Sequence, residues 1–176
     1  MIREASISDA AEIALVHVQS WQATYRGKFP QAFLDNLDPN QRRDGWSRYF
    51  STQRRCHEAV LVSEFKEKIV GFVNIGPSRD ADAKVSEGEV RAIYLSPKFC
   101  GQGLGRELMS ASLDALLRFG YTEATLWVLG DNERARRFYE AGGWVHDGAT
   151  KSDDRFGFAV SEVRYRRSLL HPANNP

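Results

Sequence analysis

One stretch restricts this chain more than any other: Glu89-Val-Arg-Ala-Ile-Tyr-Leu-Ser-Pro-Lys-Phe-Cys-Gly-Gln-Gly-Leu-Gly-Arg106. A β-branched run ends near Leu95, glycines follow at 101, 103 and 105, and a long helical pattern then begins. Glycine lets the backbone approach a ligand closely and adopt positive φ. The start of a helix presents unpaired N–H groups and the positive end of the helix dipole. A strand, a glycine loop and a helix in that order make an anion cradle suited to a pyrophosphate. A tight strand-to-helix turn without a ligand reads the same way from glycine spacing alone. A P-loop would need Gly-Lys-Ser/Thr, and Gly105 is followed by Arg106-Glu107. A dinucleotide fingerprint would need glycine at 106 and a position near the start of the chain.

The flanking pattern gives the fold class. Ile2 to Ala5 is a short strand, and Ser8 and Asp9 offer cap oxygens to a helix ending near Thr24. Short helices follow around Phe33-Leu34 and after Pro39, the second carrying Trp46, Tyr49 and Phe50. Ala59–Val62 and Ile69–Val73 form a hairpin. Pro77 to Gly88 is polar and reads as a flexible loop, and Glu89 to Leu95 is a third strand. Gly103–Phe119 is helical, Ala124–Leu129 a strand and Asn132–Ala141 a helix stopped by Gly142-Gly143. Trp144–His146 and Val160–Tyr165 are the last strands. The expectation is an α/β domain with a mixed, mostly antiparallel sheet of about six to seven strands flanked by helices. At 176 residues, a single domain over 1–176 is expected.

Composition removes several function classes. Lys+Arg 24 against Asp+Glu 23 gives no electrostatic reason for a nucleic-acid or anionic-membrane partner. No apolar run approaches the roughly 20 residues of a membrane span. Cys56 and Cys100 lack metal or redox spacing, so neither metal nor disulfide is expected. A cytoplasmic protein is the expectation.

A second motif lies downstream, Asn132-Glu-Arg-Ala-Arg-Arg-Phe-Tyr-Glu-Ala-Gly-Gly-Trp144. Asn132 suits a helix cap with an amide left for a ligand. Tyr139 stands seven residues on, two turns along the same helix side. Together the two motifs resemble those of the GNAT superfamily of N-acetyltransferases over roughly the last two-thirds of the chain. Cys100-Gly-Gln-Gly-Leu-Gly105 resembles its Gln/Arg-x-x-Gly-x-Gly/Ala loop, with cysteine at the first position. Asn132, Ala135, Phe138, Tyr139 and Gly143 fall on its Asn-x-x-Ala-x-x-Phe-Tyr-x-x-x-Gly-Phe pattern, with Trp144 at the last place.

The resemblance implies acetyl-CoA as co-substrate and direct transfer of its acetyl group to an amine, a small molecule more than a peptide. It implies pantetheine contact by Ile93, Tyr94 and Leu95, and pyrophosphate contact by Gly101, Gln102, Gly103, Leu104, Gly105 and Arg106. Asn132 and Tyr139 complete the implied co-substrate site. Tyr139 is either the acid that protonates the leaving thiolate or an aromatic core residue with its hydroxyl at the rim. The pKa values of tyrosine and a thiol, ~10 and ~8.5, make that proton transfer feasible. Glu89, where many members carry a catalytic glutamate, is either the base for the amine or a strand glutamate paired with Arg91. His146 is an outside candidate for that base. Ribosomal-peptide members carry a glutamate where Trp127 stands, which disfavours that sub-class.

Trp21, Tyr25, Arg26 and Phe29 form either a packed aromatic corner or an acceptor pocket wall. Asp147, Asp153 and Asp154 read as a solvated acidic loop or as attraction for a cationic amine. No credible nucleophile is present, because Cys100 lies in the loop and Cys56 has no histidine pairing pattern. A non-catalytic acyl-CoA-binding or sensing module of the same fold is the alternative, and a longer acyl group is a further one. A homodimer is allowed.

Overall fold

The computed structural model describes residues 1–52, 56–154 and 156–170. In chain order the elements are β1 (Ile2–Glu4), α1 (Ala10–Thr24), α2 (Gln31–Asp35), α3 (Pro39–Ser51), β2 (Ala59–Phe65), β3 (Lys68–Pro77), β4 (Glu87–Leu95), α4 (Leu104–Arg118), β5 (Glu123–Leu129), α5 (Glu133–Ala141), β6 (Val145–Asp153) and β7 (Val160–Ser168). The strands follow the order β1-β2-β3-β4-β5-β7-β6 in a seven-stranded sheet. Pairing is antiparallel in β1–β2, β2–β3, β5–β7 and β6–β7, and parallel in β4–β5. The mixed, mostly antiparallel α/β architecture is the expected one. No helix among the described residues is long and apolar enough to cross a membrane.

The chain divides into two compact units, residues 1–75 with 92–112 and residues 76–91 with 113–176. In the first unit, Ala5, Ile13, Val16, Val60, Val62, Ile69 and Phe72 make a buried cluster, and Trp46, Tyr49 and Phe50 of α3 pack against it. The start of α1 differs from the sequence expectation. The Asp9 carboxylate accepts from the Ser6 N–H at 2.7 Å and from Arg3 at 2.8 and 2.9 Å, while Ser8 only meets the Ser6 hydroxyl at 2.8 Å. The Arg3 hydrogen bond is the main cause holding the Asp9 carboxyl down to about 2. Asp38 caps α3, accepting from the Asn40 N–H at 2.8 Å, with Pro39 in the first turn. The β2–β3 hairpin turns through Lys66 and Glu67 at φ 50° and 62°, two left-handed residues without a glycine. Further along β3, a Cβ on Gly71 would stand 2.6 Å from Leu95 Cδ2 and 3.1 Å from the Tyr94 oxygen. Only glycine lets β3 approach that part of β4 so closely.

In the second unit, Leu116, Tyr121, Ala124, Leu126, Val128, Trp144, Val160 and Tyr165 are buried. A Cβ on Gly88 would stand 2.7 Å from Leu116 Cδ2, so β4 and the second half of α4 pack in direct contact. The segment expected to be a flexible loop is instead tied at several points. Trp127 Nε1 donates to Asp80 at 2.9 Å, and Arg164 reaches Asp80 at 3.1 Å and Asp82 at 2.7 Å. The Thr122 N–H adds a bond to the Ser86 oxygen at 3.0 Å. Strand β6 also extends well past the expected His146, with an irregular register between His146 and Thr150.

Candidate active site

In the first unit the three glycines follow closely on the end of β4. After β4, a single 3-10 turn (Pro97–Phe99) leads into the glycines. Gly101 and Gly103 take φ 83° and 89°, the region that disfavours side chains. A Cβ at either would meet nothing within 4 Å, so the space beside both glycines is open. The N–H groups of Gly101 to Gly105 donate to no main-chain oxygen among the described residues. The next two, on Arg106 and Glu107, both turn to the Gly103 oxygen at 2.9 and 3.2 Å. Helix α4 starts at Leu104, which puts the leftover N–H groups of Leu104 and Gly105 at its first turn. Gln102 spends its side-chain amide on the Lys98 oxygen at 2.9 Å, and Cys100 Sγ lies 3.8 Å from the Ser96 oxygen. Both side chains brace the loop.

Ile93, Tyr94 and Leu95 form the end of β4, past the stretch in register with β5. The parallel ladder registers only Glu87–Glu89 with Glu123–Thr125. The buried Ser20 hydroxyl donates to the Leu95 oxygen, and the Ser96 N–H donates to the Val70 oxygen at 2.7 Å. These contacts fix the strand end from α1 and from β3. Sequence reading did not single out Ser20 or Gly71, because a serine and a glycine inside regular elements carry no signal without the partner strand.

The second unit holds Glu89, Asn132 and Tyr139. Glu89 is 3% exposed and stands opposite the fully buried Thr125. Its carboxylate accepts from Arg79 three times, from Nη2 at 2.7 Å, Nε at 2.9 Å and the main-chain N–H at 3.2 Å. Arg91 donates to the Pro77 oxygen at 3.0 Å. The Arg79 side chain is 63% exposed, so it covers Glu89 from the solvent side. Asn132 caps α5, its Oδ1 accepting from the Ala135 N–H at 3.3 Å. No described residue accepts from its Nδ2. Tyr139 is buried, with its ring 5.4 Å from Phe138, 6.2 Å from Tyr165 and 6.3 Å from Trp144. The neighbouring Tyr165 hydroxyl donates to Glu140 at 2.6 Å and accepts from Arg136 at 3.0 Å. Burial, followed by that Glu140 bond, pushes the Tyr165 phenol up and keeps it protonated.

Trp127 is a platform in this unit: Lys151 Nζ lies 4.1 Å and Arg164 5.6 Å from its ring. Asp147 belongs to the same network, 2.7 Å from Arg164. Burial opposes its charge, but the Ala149 N–H and the two arginines 164 and 166 hold its carboxyl below the usual range. Asp147 is thus engaged by arginines of its own unit. His146 is exposed, its ring tilted against that of Tyr165 at 5.7 Å between centroids.

Sequence relatives show the class to which the chain belongs, an N-acetyltransferase family. Residues 18–144 match the Acetyltransferase (GNAT) family, and the chain belongs to that family. It is 32% identical to the N-acetyltransferase YuaI of Bacillus subtilis (strain 168) over 140 residues, 80% of this chain and 77% of the relative. It is 31% identical to an N-acetyltransferase of Archaeoglobus fulgidus over 139 residues, 78% of this chain and 88% of the other. Among solved structures, it resembles the PaiA N-acetyltransferase of Thermoplasma acidophilum in complex with coenzyme A, with a TM-score of 0.73 at 19% identity over 96% of this chain and 98% of that one. The yncA protein of Salmonella typhimurium with acetyl-CoA gives a TM-score of 0.71 at 23% identity, over 100% and 97% of the two chains.

Proposed function

We propose that the protein transfers the acetyl group of acetyl-CoA directly to a small-molecule amine. The observation that carries this reading is the Gly101–Gly105 segment, with two left-handed glycines, open space beside them and main-chain donors left over. Those features fit a pyrophosphate, whose charge the N–H groups and the first turn of α4 would offset. The end of β4 at Ile93, Tyr94 and Leu95, extended and only partly buried, fits an extended pantetheine arm that pairs as a strand would.

Acetyl-CoA supplies an activated carbonyl and a thiolate leaving group. The amine must be neutral to form the new C–N bond, yet a lysine-like amine of pKa ~10.4 is less than about 0.1% neutral at pH 7. Glu89 is the group assigned to take the amine proton, directly or through water. Its two oxygens are already held by Arg79, so a proton reaches it on the lone pairs that the guanidinium leaves open. Tyr139 gives its hydroxyl proton to the sulfur as the C–S bond breaks, and solvent restores it. Transfer is direct because no cysteine serves as a carrier: Cys100 is folded into the loop and Cys56 is exposed.

A screen of amines against acetyl-CoA, read by released thiol, tests this reading together with a thermal shift on CoA alone. At a hundred-fold excess over the dissociation constant, CoA stabilises the fold by about 2.7 kcal/mol. No thermal shift with saturating CoA, or no thiol release across a broad amine set, overturns it.

A further inference from the structure

We infer that the acceptor carries a carboxylate besides its amine, and that Arg42, set among His17, Trp21, Tyr25, Trp46 and Tyr94, is the group that takes it. This rests on the acetyl-transfer reading and names its substrate class. All of these side chains belong to the first unit. His17 stacks on Tyr94 at 5.2 Å and lies 5.4 Å from Trp21 and 6.2 Å from Trp46. The Arg42 guanidinium lies 5.1 Å from the centre of the Trp21 ring. The Tyr25 and Tyr94 hydroxyls meet at 3.4 Å. His17, Tyr25, Arg42, Trp46 and Tyr94 are each partly exposed.

Two features mark this cluster as a binding site instead of a packed corner. Arg42 has no carboxylate partner among the described residues, although Arg3, Arg79, Arg164 and Arg166 each have at least one. A half-buried cation with no counter-charge is costly, and one anion would relieve it. Burial indeed draws the Arg42 guanidinium below its usual range. The second feature is His17 Nδ1, which is buried without a hydrogen-bond partner. Burial, with Arg42 nearby, holds that imidazole neutral down to about 3, so it offers a neutral donor or acceptor and adds no second positive charge. One cation calls for a single negative charge, which suits a carboxylate better than a phosphate dianion. The aromatic walls call for an apolar body between carboxylate and amine. Tyr94 belongs to the segment assigned to pantetheine, so the acceptor would lie beside the acyl donor.

The test uses phenylalanine, leucine and methionine, each as free acid, carboxamide and decarboxylated amine, with saturating acetyl-CoA and thiol release as readout. Tryptophan fluorescence, reporting Trp21 under Arg42, reads binding of the same compounds in the presence of CoA. The free acids are expected to exceed their amides in kcat/KM by about 30-fold or more, the usual range for a hydrogen bond to a charged group. Arg42→Gln should abolish that preference and leave the CoA thermal shift intact, and Arg42→Lys should restore part of it. Amides or plain amines that match the acids overturn the proposal. So does an Arg42→Gln variant that keeps the preference, or one that loses CoA affinity and places Arg42 on the nucleotide. If no acid of the panel binds or reacts while CoA still shifts the wild type, the carboxylate assignment falls and the acetyl-CoA reading stands. If CoA itself fails to bind, the acetyl-CoA reading falls, and acid binding lost in Arg42→Gln still reports the anion site.

Discussion

Tyr139 and Glu89 are asked to do opposite jobs in the proposed reaction, and their surroundings differ accordingly. Tyr139 is buried among rings, with Asn132 seven residues earlier on the same helix side. Tyr139→Phe keeps those ring contacts and removes only the hydroxyl. It is expected to retain the fold and CoA binding but to slow transfer by about 100-fold, the low end for a general acid. A thioester with a less basic thiolate should narrow the loss, because less protonation is then needed. Equal turnover in steady-state kinetics would make Tyr139 a packing residue. Glu89, in contrast, is gripped by Arg79. Glu89→Gln should lower turnover most at low pH, where the amine is hardest to deprotonate, and leave CoA affinity nearly unchanged. A pH–rate profile that superimposes on the wild type would hand the proton to water or to another group.

Among the elements, the loop between β4 and α4 carries the sharpest expectation. Gly103→Asp introduces a side chain at φ 89° and a carboxylate where the pyrophosphate is expected. Backbone strain there costs roughly 1–2 kcal/mol of folding, but like-charge contact should weaken CoA binding far more than that. Titration calorimetry checks it, and normal affinity in a folded variant would relocate the cradle. This loop was legible because glycine spacing, a strand before it and a helix after it are all local signals. The hairpin of β2 and β3 and the periodic stripe of α4 were legible for the same reason. What the sequence did not reveal is non-local. The span from Pro77 to Gly88 reads as mobile because it is polar, yet Asp80 and Asp82 meet Arg164 more than eighty residues away. Glu89 reads as a base or as a partner for Arg91 on the same strand face, and the hold that Arg79 takes on it from that same polar span carries no local signal. Strand β6 is polar and mostly exposed along its length, so no apolar alternation announces where it ends. Arg42 drew no notice because a basic residue on an exposed helix is ordinary until its missing counter-charge is seen.

At the scale of the whole molecule, two titrations divide the acid side of the stability curve. His17 titrates near 3 when folded and near ~6.5 when unfolded, so the unfolded chain binds more protons between those values. The stability present above about pH 6.5 is then lost as pH falls toward 3, at no more than about 1.4 kcal/mol per pH unit. The Arg3-bound Asp9, lowered to about 2, adds its own loss only below about pH 4. Thermal melts between pH 7 and 4.5 should therefore slope for the wild type and flatten in His17→Phe, which packs as a ring but cannot ionise. Parallel slopes would clear His17 of the effect. The tight turn at Lys66 and Glu67 has a practical consequence of another kind. Two side-chain-bearing residues there occupy a mirror-image backbone that asparagine and glycine prefer, so evolution has left the corner unoptimised. Replacing them together, Lys66→Asn with Glu67→Gly, should raise the melting midpoint by an amount worth about 1 kcal/mol. A thermal melt checks it, and a midpoint that stays or falls would mean that the corner is already relaxed. The same double change should lengthen the half-life at elevated temperature, which makes this corner a first choice for anyone seeking a hardier catalyst.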